Sequence, residues 1–274
     1  TEEPVSLYRS GFDASYEVDF FGGNRRRVEA ADASIQASEA AYLNISLLLT
    51  AEVAREYIGL RQLQHLLDLT RKTAAAQQKL YEIVRTKKEG GVVSGFDVTQ
   101  SQTLLKATKA RLPEIERQLE AAGYRLSVLL GEAPGALNNQ LKEMKPVPVA
   151  QTLVVLNSPA AVIARRPDIQ VAERNLAAAT ALTGAAISGI YPKITLSGLF
   201  GIQNTSLTGG GGMWSLGSSL VAPLLNFGRI EGQIKASEAR QTQAFHAYRQ
   251  TVLEALSEVE TALSNISREN QTRL

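Results

Sequence analysis

From about residue 23 to residue 88 the chain has no proline, and Gly59 is the only glycine inside the stretch. Apolar residues recur there at Val28, Ile35, Tyr42 and Leu49, and again at Val53, Leu60, Leu67 and Ala74. The spacing is seven, with one step of four between Leu49 and Val53. Such a step is a stutter, which locally unwinds a left-handed supercoil. The pattern predicts one helix of about 66 residues, roughly 100 Å long at 1.5 Å per residue. A helix of that length cannot bury its own apolar stripe, so it requires partner helices along its course.

The end of this helix is marked by KKEGGVVSGFDVTQ. Gly90-Gly91 suits a left-handed cap that stops a helix. Ser94 with Asp97 three residues later resembles a capping box opening the next one. Residues 89–95 therefore read as a tight turn between antiparallel helices. The second helix is expected from about 96 to 130, kinked at Pro113. Residues 131–166 carry Pro134, Pro146, Pro148 and Pro159 and read as a connecting region of loops and short elements. A further helix is expected over 167–190, with Pro167 in its first turn and Asp168 and Glu173 near its start. Tyr191-Pro192 ends it.

Two regions, 5–21 and 192–227, follow a period of two instead. In VSLYRSGFDASYEVDF, Tyr8, Phe12, Ala14, Tyr16, Val18 and Phe20 share one parity. Arg9, Gly11, Asp13, Ser15, Glu17 and Asp19 share the other. The run is longer than an ordinary strand. Either an edge strand or a transmembrane barrel strand, about 9–11 residues across the apolar zone, fits it. KITLSGLFGIQ sets Ile194, Leu196, Phe200 and Ile202 against Lys193, Thr195, Ser197 and Gln203. WSLGSSLVAPLLNF sets Trp214, Leu216, Leu220, Ala222 and Leu224 on one parity, with Val221 and Leu225 breaking the other. This pair reads as a hairpin closed by the loop NTSLTGGGG. From Gly228 a second Ala-rich helix is expected to the end at Leu274.

A shift of 206 overlays the opening segment on the closing one without a gap. Phe21 falls on Phe227, Gly22 on Gly228, Ala41-Tyr42 on Ala247-Tyr248 and Glu52-Val53 on Glu258-Val259. A tandem duplication of a strand-to-long-helix unit is the expected cause. On that ruler the second helix would reach its own turn near residue 295, about twenty residues beyond Leu274. The chain is therefore expected to be partial at both ends, its first strand lacking the hairpin partner that the second pair has.

Composition narrows the function classes. The net charge of +2 is too small to argue for nucleic acid. With no cysteine there is no disulfide, zinc–thiolate or thiol chemistry. No run approaches 18 apolar residues, so a membrane role must come from strands. The chain opens without a basic-then-apolar leader, and is expected either to be cytosolic or to begin after processing or truncation. His65 and His246 lack metal-ligand spacing. Gly209–Gly212 lacks the Lys-Ser/Thr of a phosphate loop and reads as hairpin loop. No Gly-x-Ser-x-Gly elbow stands between a strand and a helix. Asp168 and Glu173 read as helix N-terminal electrostatics. Arg25-Arg26-Arg27 reads as a solvated turn or as a contact for anionic headgroups. Neither an enzyme nor a cofactor is expected.

At ARRPDIQVAERNLAAATALTGAAISGIYPKITLSGLFG the chain resembles the outer-membrane efflux channels of the TolC/OprM type, in the resistance-nodulation-division tripartite branch. The matching residues are Arg166-Pro167-Asp168-Ile169, Ala172-Glu173 and Tyr191-Pro192. YEVDFFG, LPEIERQLEAAGYRLSVLLGEAPGAL and PLLNFGRIEGQIKASEARQ resemble further parts of the same family. The resemblance implies a mainly α fold with a β-barrel portion. In it a homotrimer forms a twelve-stranded outer-membrane barrel continued by a periplasmic helical barrel. It implies a passive exit duct for drugs and other small toxic molecules, with a periplasmic adaptor and an inner-membrane pump as partners.

The family's tip pattern falls on Gly91, Ser94, Asp97 and Val98. This makes Gly90, Gly91, Val92, Val93, Ser94, Gly95, Phe96, Asp97 and Val98 the expected adaptor-docking turn. The position three before Gly91, often Tyr in the family, is Lys88. The same residues would serve a turn selected for capping alone. Tyr8, Phe12, Tyr16, Ile194, Leu196, Phe200, Trp214, Leu216 and Leu220 are expected to face outer-membrane lipid. Phe21-Gly22 and Phe227-Gly228 are expected to mark strand-to-helix junctions, where glycine suits a sharp bend. A type I protein-secretion outlet of the same fold, and a soluble coiled-coil scaffold with a small sheet, are the competing readings.

Overall fold

The computed structural model describes residues 6–148, 165–206 and 209–272. The rest, including much of the expected connecting region and the tip of the strand hairpin, lies outside the described residues. The elements run in the order β1 (Leu7–Val18), α1 (Gly23–Glu89), α2 (Gly95–Leu129), α3 (Asn138–Leu141), α4 (Pro167–Ser188), β2 (Lys193–Thr205), β3 (Gly209–Val221) and α5 (Arg229–Thr272). The chain is mainly helical. It divides into two compact units, one of Thr1–Asn44 with Leu156–Leu274 and one of Ile45–Val155.

In the first unit the strands form one antiparallel sheet in the order β1-β2-β3. β1 pairs with β2 along its whole length, from Leu7 opposite Thr205 to Val18 opposite Ile194. The first strand, expected to lack a hairpin partner, is paired instead with a strand distant in sequence, from Val18 with Ile194 to Leu7 with Thr205. The glycine run Gly209–Gly212 was expected as loop, but it belongs to β3 and pairs with Thr205, Asn204, Gln203 and Ile202. Glycine carries no face signal, and the partner strand's backbone decides its place. Conversely, 222–227 is not strand: β3 stops at Val221, two residues before Pro223, which has no N–H to offer a ladder. β1 likewise stops at Val18, short of the expected 21.

Below the sheet, α4 runs antiparallel to the start of α1. Arg174 donates to Gln36 Oε1 at 3.1 Å, and Gly184 lies against the Arg26 side chain. A Cβ on Gly23 would stand 2.4 Å from Ser188 Oγ. α4 also packs on α5. The buried positions are Ala30, Ala33, Ala37 and Ala40 of α1, Ala178, Ala181 and Ala185 of α4, and Ile230 and Ala255 of α5. Small residues at heptad spacing let helices approach closely. The part of the expected stripe that falls in this unit, Val28, Ile35 and Tyr42, is therefore not its inner seam, and Leu49, already in the second unit, is exposed as well. The stripe lies two residues, or about 200°, around the helix from the alanines and is exposed.

In the second unit the stripe turns inward, with Leu60, Leu67 and Ala74 buried. α2 answers with Leu105, Ile115, Ala122 and Leu126. Arg125 to Glu56 (3.1 Å), Arg71 to Glu116 (2.6 Å) and Lys109 to Gln78 (3.0 Å) tie the two helices. The partner number falls in α2 as the position rises in α1, as an antiparallel hairpin requires.

Candidate functional site

The sheet has two unlike faces. In an antiparallel ladder directly opposed residues share a face. Phe12 opposes Phe200, which opposes Trp214, so three rings line up across the three strands. Tyr16 opposes Leu196, Val18 opposes Ile194, Ile194 opposes Leu220, and Gly198 opposes Leu216. Tyr8 lies on the same parity, opposite Asn204. All nine residues singled out from the sequence thus lie on one face. The opposite face carries Arg9, which donates to Gln203 at 3.1 Å, and Lys193, paired with Glu17 at 3.3 Å. Gly11 opposes Gly201 on that face. A Cβ on either would stand 2.7 or 2.6 Å from a carbonyl of the other strand, so the close approach needs glycine at both.

The apolar face is uncovered within the chain: Phe12 is 84%, Phe200 72% and Trp214 77% exposed. Leaving a large apolar side chain in water forgoes about 1.5–3 kcal/mol. Over the eight of the nine residues that are exposed, Ile194 being half-buried, the cost is on the order of 10 kcal/mol, comparable to a whole domain's stability. A face of this kind must be covered by something apolar.

At both junctions the glycine takes a left-handed backbone, with φ +79° at Gly22 and at Gly228. Past the first, the Asp19 carboxylate accepts from Asn24 N (3.0 Å) and Arg25 N (2.8 Å), satisfying free donors at the start of α1. Phe21 stacks on Tyr191, ring centroids 4.6 Å apart. At the second junction Phe227 itself has φ +49° and is 97% exposed. The two junctions share a glycine geometry but not an aromatic contact.

The helical turn closes with two caps. Gly91 has φ +75°. Its N–H donates to Lys88 O, and Val92 N–H to Lys87 O, both at 2.9 Å. This is the Schellman arrangement, which requires a left-handed residue at that position. Ser94 then caps α2, its Oγ accepting from Asp97 N while the Asp97 carboxylate accepts from Ser94 N at 2.8 Å. The Ser94 hydroxyl and backbone N–H hold the Asp97 carboxyl below its usual range. Between the caps Val92 and Phe96 are exposed, as are Gly90 and Gly95, while Val93 and Val98 are half-buried.

Arg166 is the hub of the Arg-Pro-Asp stretch. It grips Asp168 with two bonds, at 3.1 and 2.7 Å, and reaches Glu258 of α5 at 2.6 Å. The guanidinium holds Asp168 below the ordinary carboxyl range. Arg166 is half-buried; another arginine, Arg61, is fully buried, carries no motif and escapes a sequence reading. Arg61 donates to Glu143 O at 2.6 Å and lies over the Tyr57 ring, while its neighbour Gln64 donates to Leu141 O at 2.6 Å. Together they clasp the segment after α3 to α1. The only sequence hint is an arginine next to the buried Leu60. His65 and His246 are exposed on their helices.

An amphipathic antiparallel sheet with an uncovered apolar face, continuing through glycine bends into long paired helices, defines a strand-built membrane protein with a helical extension. The model of the outer membrane efflux protein family matches residues 1–132 and 159–273, and the chain belongs to that family. Nodulation protein T of Rhizobium leguminosarum bv. viciae is 33% identical over 258 residues, which are 93% of this chain and 54% of that protein. The pyoverdine export outer membrane protein OpmQ of Pseudomonas aeruginosa is 31% identical over 266 residues, 96% of this chain and 56% of that protein. The solved outer-membrane channel OprN superposes with a TM-score of 0.91 at 27% identity, over 98% of this chain and 65% of that one. The chain spans about half the length of the curated relatives it matches. It is a protein of the bacterial outer membrane, in a family of transport proteins and not of enzymes.

Proposed function

We propose that the chain is part of an outer-membrane channel subunit of a tripartite efflux pump, a passive exit duct for drugs and other small toxic molecules. The observation that carries this reading is the uncovered row Phe12–Phe200–Trp214 on a sheet whose other face is polar. Backbone polar groups in lipid must all be paired, so open sheet edges call for closure into a barrel. Three copies supplying four strands each would form a twelve-stranded barrel, the family's arrangement. The paired glycines at Gly22 and Gly228, 206 residues apart with equal φ, support a duplicated strand-to-helix unit. The exposed stripe Val28, Ile35, Tyr42 and Leu49 is the surface such a trimer would cover. The turn from Gly90 to Val98 would dock the periplasmic adaptor, with an inner-membrane pump supplying the energy. Exposed Val92 and Phe96 offer the apolar contact there.

Deletion of the gene tests the reading. Susceptibility to several drugs should rise and be restored by the full-length gene. Unchanged susceptibility with loss of a secreted protein would replace efflux by protein secretion. A full-length protein that is a monodisperse monomer in detergent-free buffer would sink the channel altogether.

A further inference from the structure

A cavity of about 380 Å³ lies where the sheet gives way to the helices, lined among others by Arg27, Tyr191, Lys193, Pro223, Arg229 and Ile230. Its three cations come from three different elements, and among the described residues no carboxylate lines it. Lys193 is shared with Glu17 at 3.3 Å and Arg27 donates to Asn24 Oδ1 at 2.5 Å. Arg27 and Arg229 make no ion pair among the described residues. Converging cations of which only Lys193 has a carboxylate partner leave an excess of positive charge that favours an anion, which gains charge-assisted hydrogen bonds there. Apart from Gln233 the rest of the wall is made of apolar and aromatic residues, as suits the hydrocarbon body of a small ligand.

The strand register fixes the side on which the cavity opens. Lys193 opposes Val221, and both belong to the parity opposite Phe200 and Trp214. The cavity therefore sits on the polar face of the sheet, away from the face offered to lipid. We propose that it binds an organic anion, with a phosphate, sulfonate or carboxylate head held by Arg27, Lys193 and Arg229 and an apolar body against Tyr191, Pro223 and Ile230. This rests on the channel reading, under which the polar face is the solute-bearing one. The cavity is then a stopping point for anionic solutes at the base of the barrel.

The test is calorimetric titration of the full-length protein in a neutral maltoside detergent with phenyl phosphate, inorganic phosphate and phenyltrimethylammonium. Phenyl phosphate should bind, inorganic phosphate about tenfold more weakly for want of the ring, and the cation not at all. Arg27→Gln with Arg229→Gln should weaken phenyl phosphate at least about tenfold, and Arg229→Lys should keep most of the affinity. The thermal midpoint of the double variant should match the parent, since neither arginine makes an ion pair among the described residues. Unchanged affinity in the double variant, or equal binding of the cation, overturns the site. Equal binding of the two phosphates overturns its apolar half. Conductance in planar bilayers separates the two readings: a protein that conducts but does not bind loses only this site, and one that never conducts loses the channel.

Discussion

Arg166 and Asp168 show how much one local ion pair organises. The pair anchors the first turn of α4 and, through Glu258, its contact with α5. Because the folded state holds Asp168 below its ordinary 3.8, it binds that proton less readily than the unfolded chain. The pair's contribution is therefore full above about pH 4 and is lost as pH falls through the depressed value. Asp168→Asn should lower the thermal midpoint at neutral pH, and the gap to the parent should close as pH drops below about 4. A gap that stays constant from pH 7 to pH 3 would show that the ion pair is not its source. Gly91 makes a second case. Valine at φ +75° is strained by about 1–2 kcal/mol or more, and β-branching adds to it. Gly91→Val should reduce drug resistance and adaptor cross-linking while membrane insertion persists. Both readouts staying normal would remove the turn from the docking site.

Among the elements, α1 is the most legible and also the most misleading. The absence of proline and the heptads announce a helix whose observed bounds, Gly23–Glu89, lie within a residue of those expected. What faces inward along it was not legible. Large apolar residues attract the eye, yet in the first unit the alanines at 30, 33, 37 and 40 are the buried stripe. Ala37→Leu should overpack the α1–α4 contact and destabilise that unit by about 1–3 kcal/mol. Ile35→Ala with Tyr42→Ala should leave helix content and unit packing intact while lowering the detergent resistance of the assembled protein. An unchanged assembly would mean that the exposed stripe covers nothing. The turn was readable because both of its caps are local: Gly91 and the Ser94–Asp97 pair act within a few residues. The β1–β2 pairing was not, since side-chain alternation fixes which face a residue joins but not which distant strand lies opposite. The Arg61 clasp was invisible for a related reason: an arginine on a helix is ordinarily a surface residue, and its partner, the Glu143 carbonyl, lies 82 residues away in sequence.

For the whole molecule, the account turns on a sheet that is stable only if its apolar face is covered. The helices of the chain leave that face bare, and an apolar solvent would serve. Trp214 sits mid-strand in the aromatic row, and it is the chain's only tryptophan. The most direct measurement is the fluorescence of the full-length protein in vesicles of acyl-brominated phosphatidylcholine, compared with a Trp214→Phe variant to isolate this residue's signal. A lipid-facing wall predicts strong bromine quenching of the Trp214 component and little quenching by iodide in the water. Strong iodide quenching without bromine quenching would place the face in water and contradict the channel.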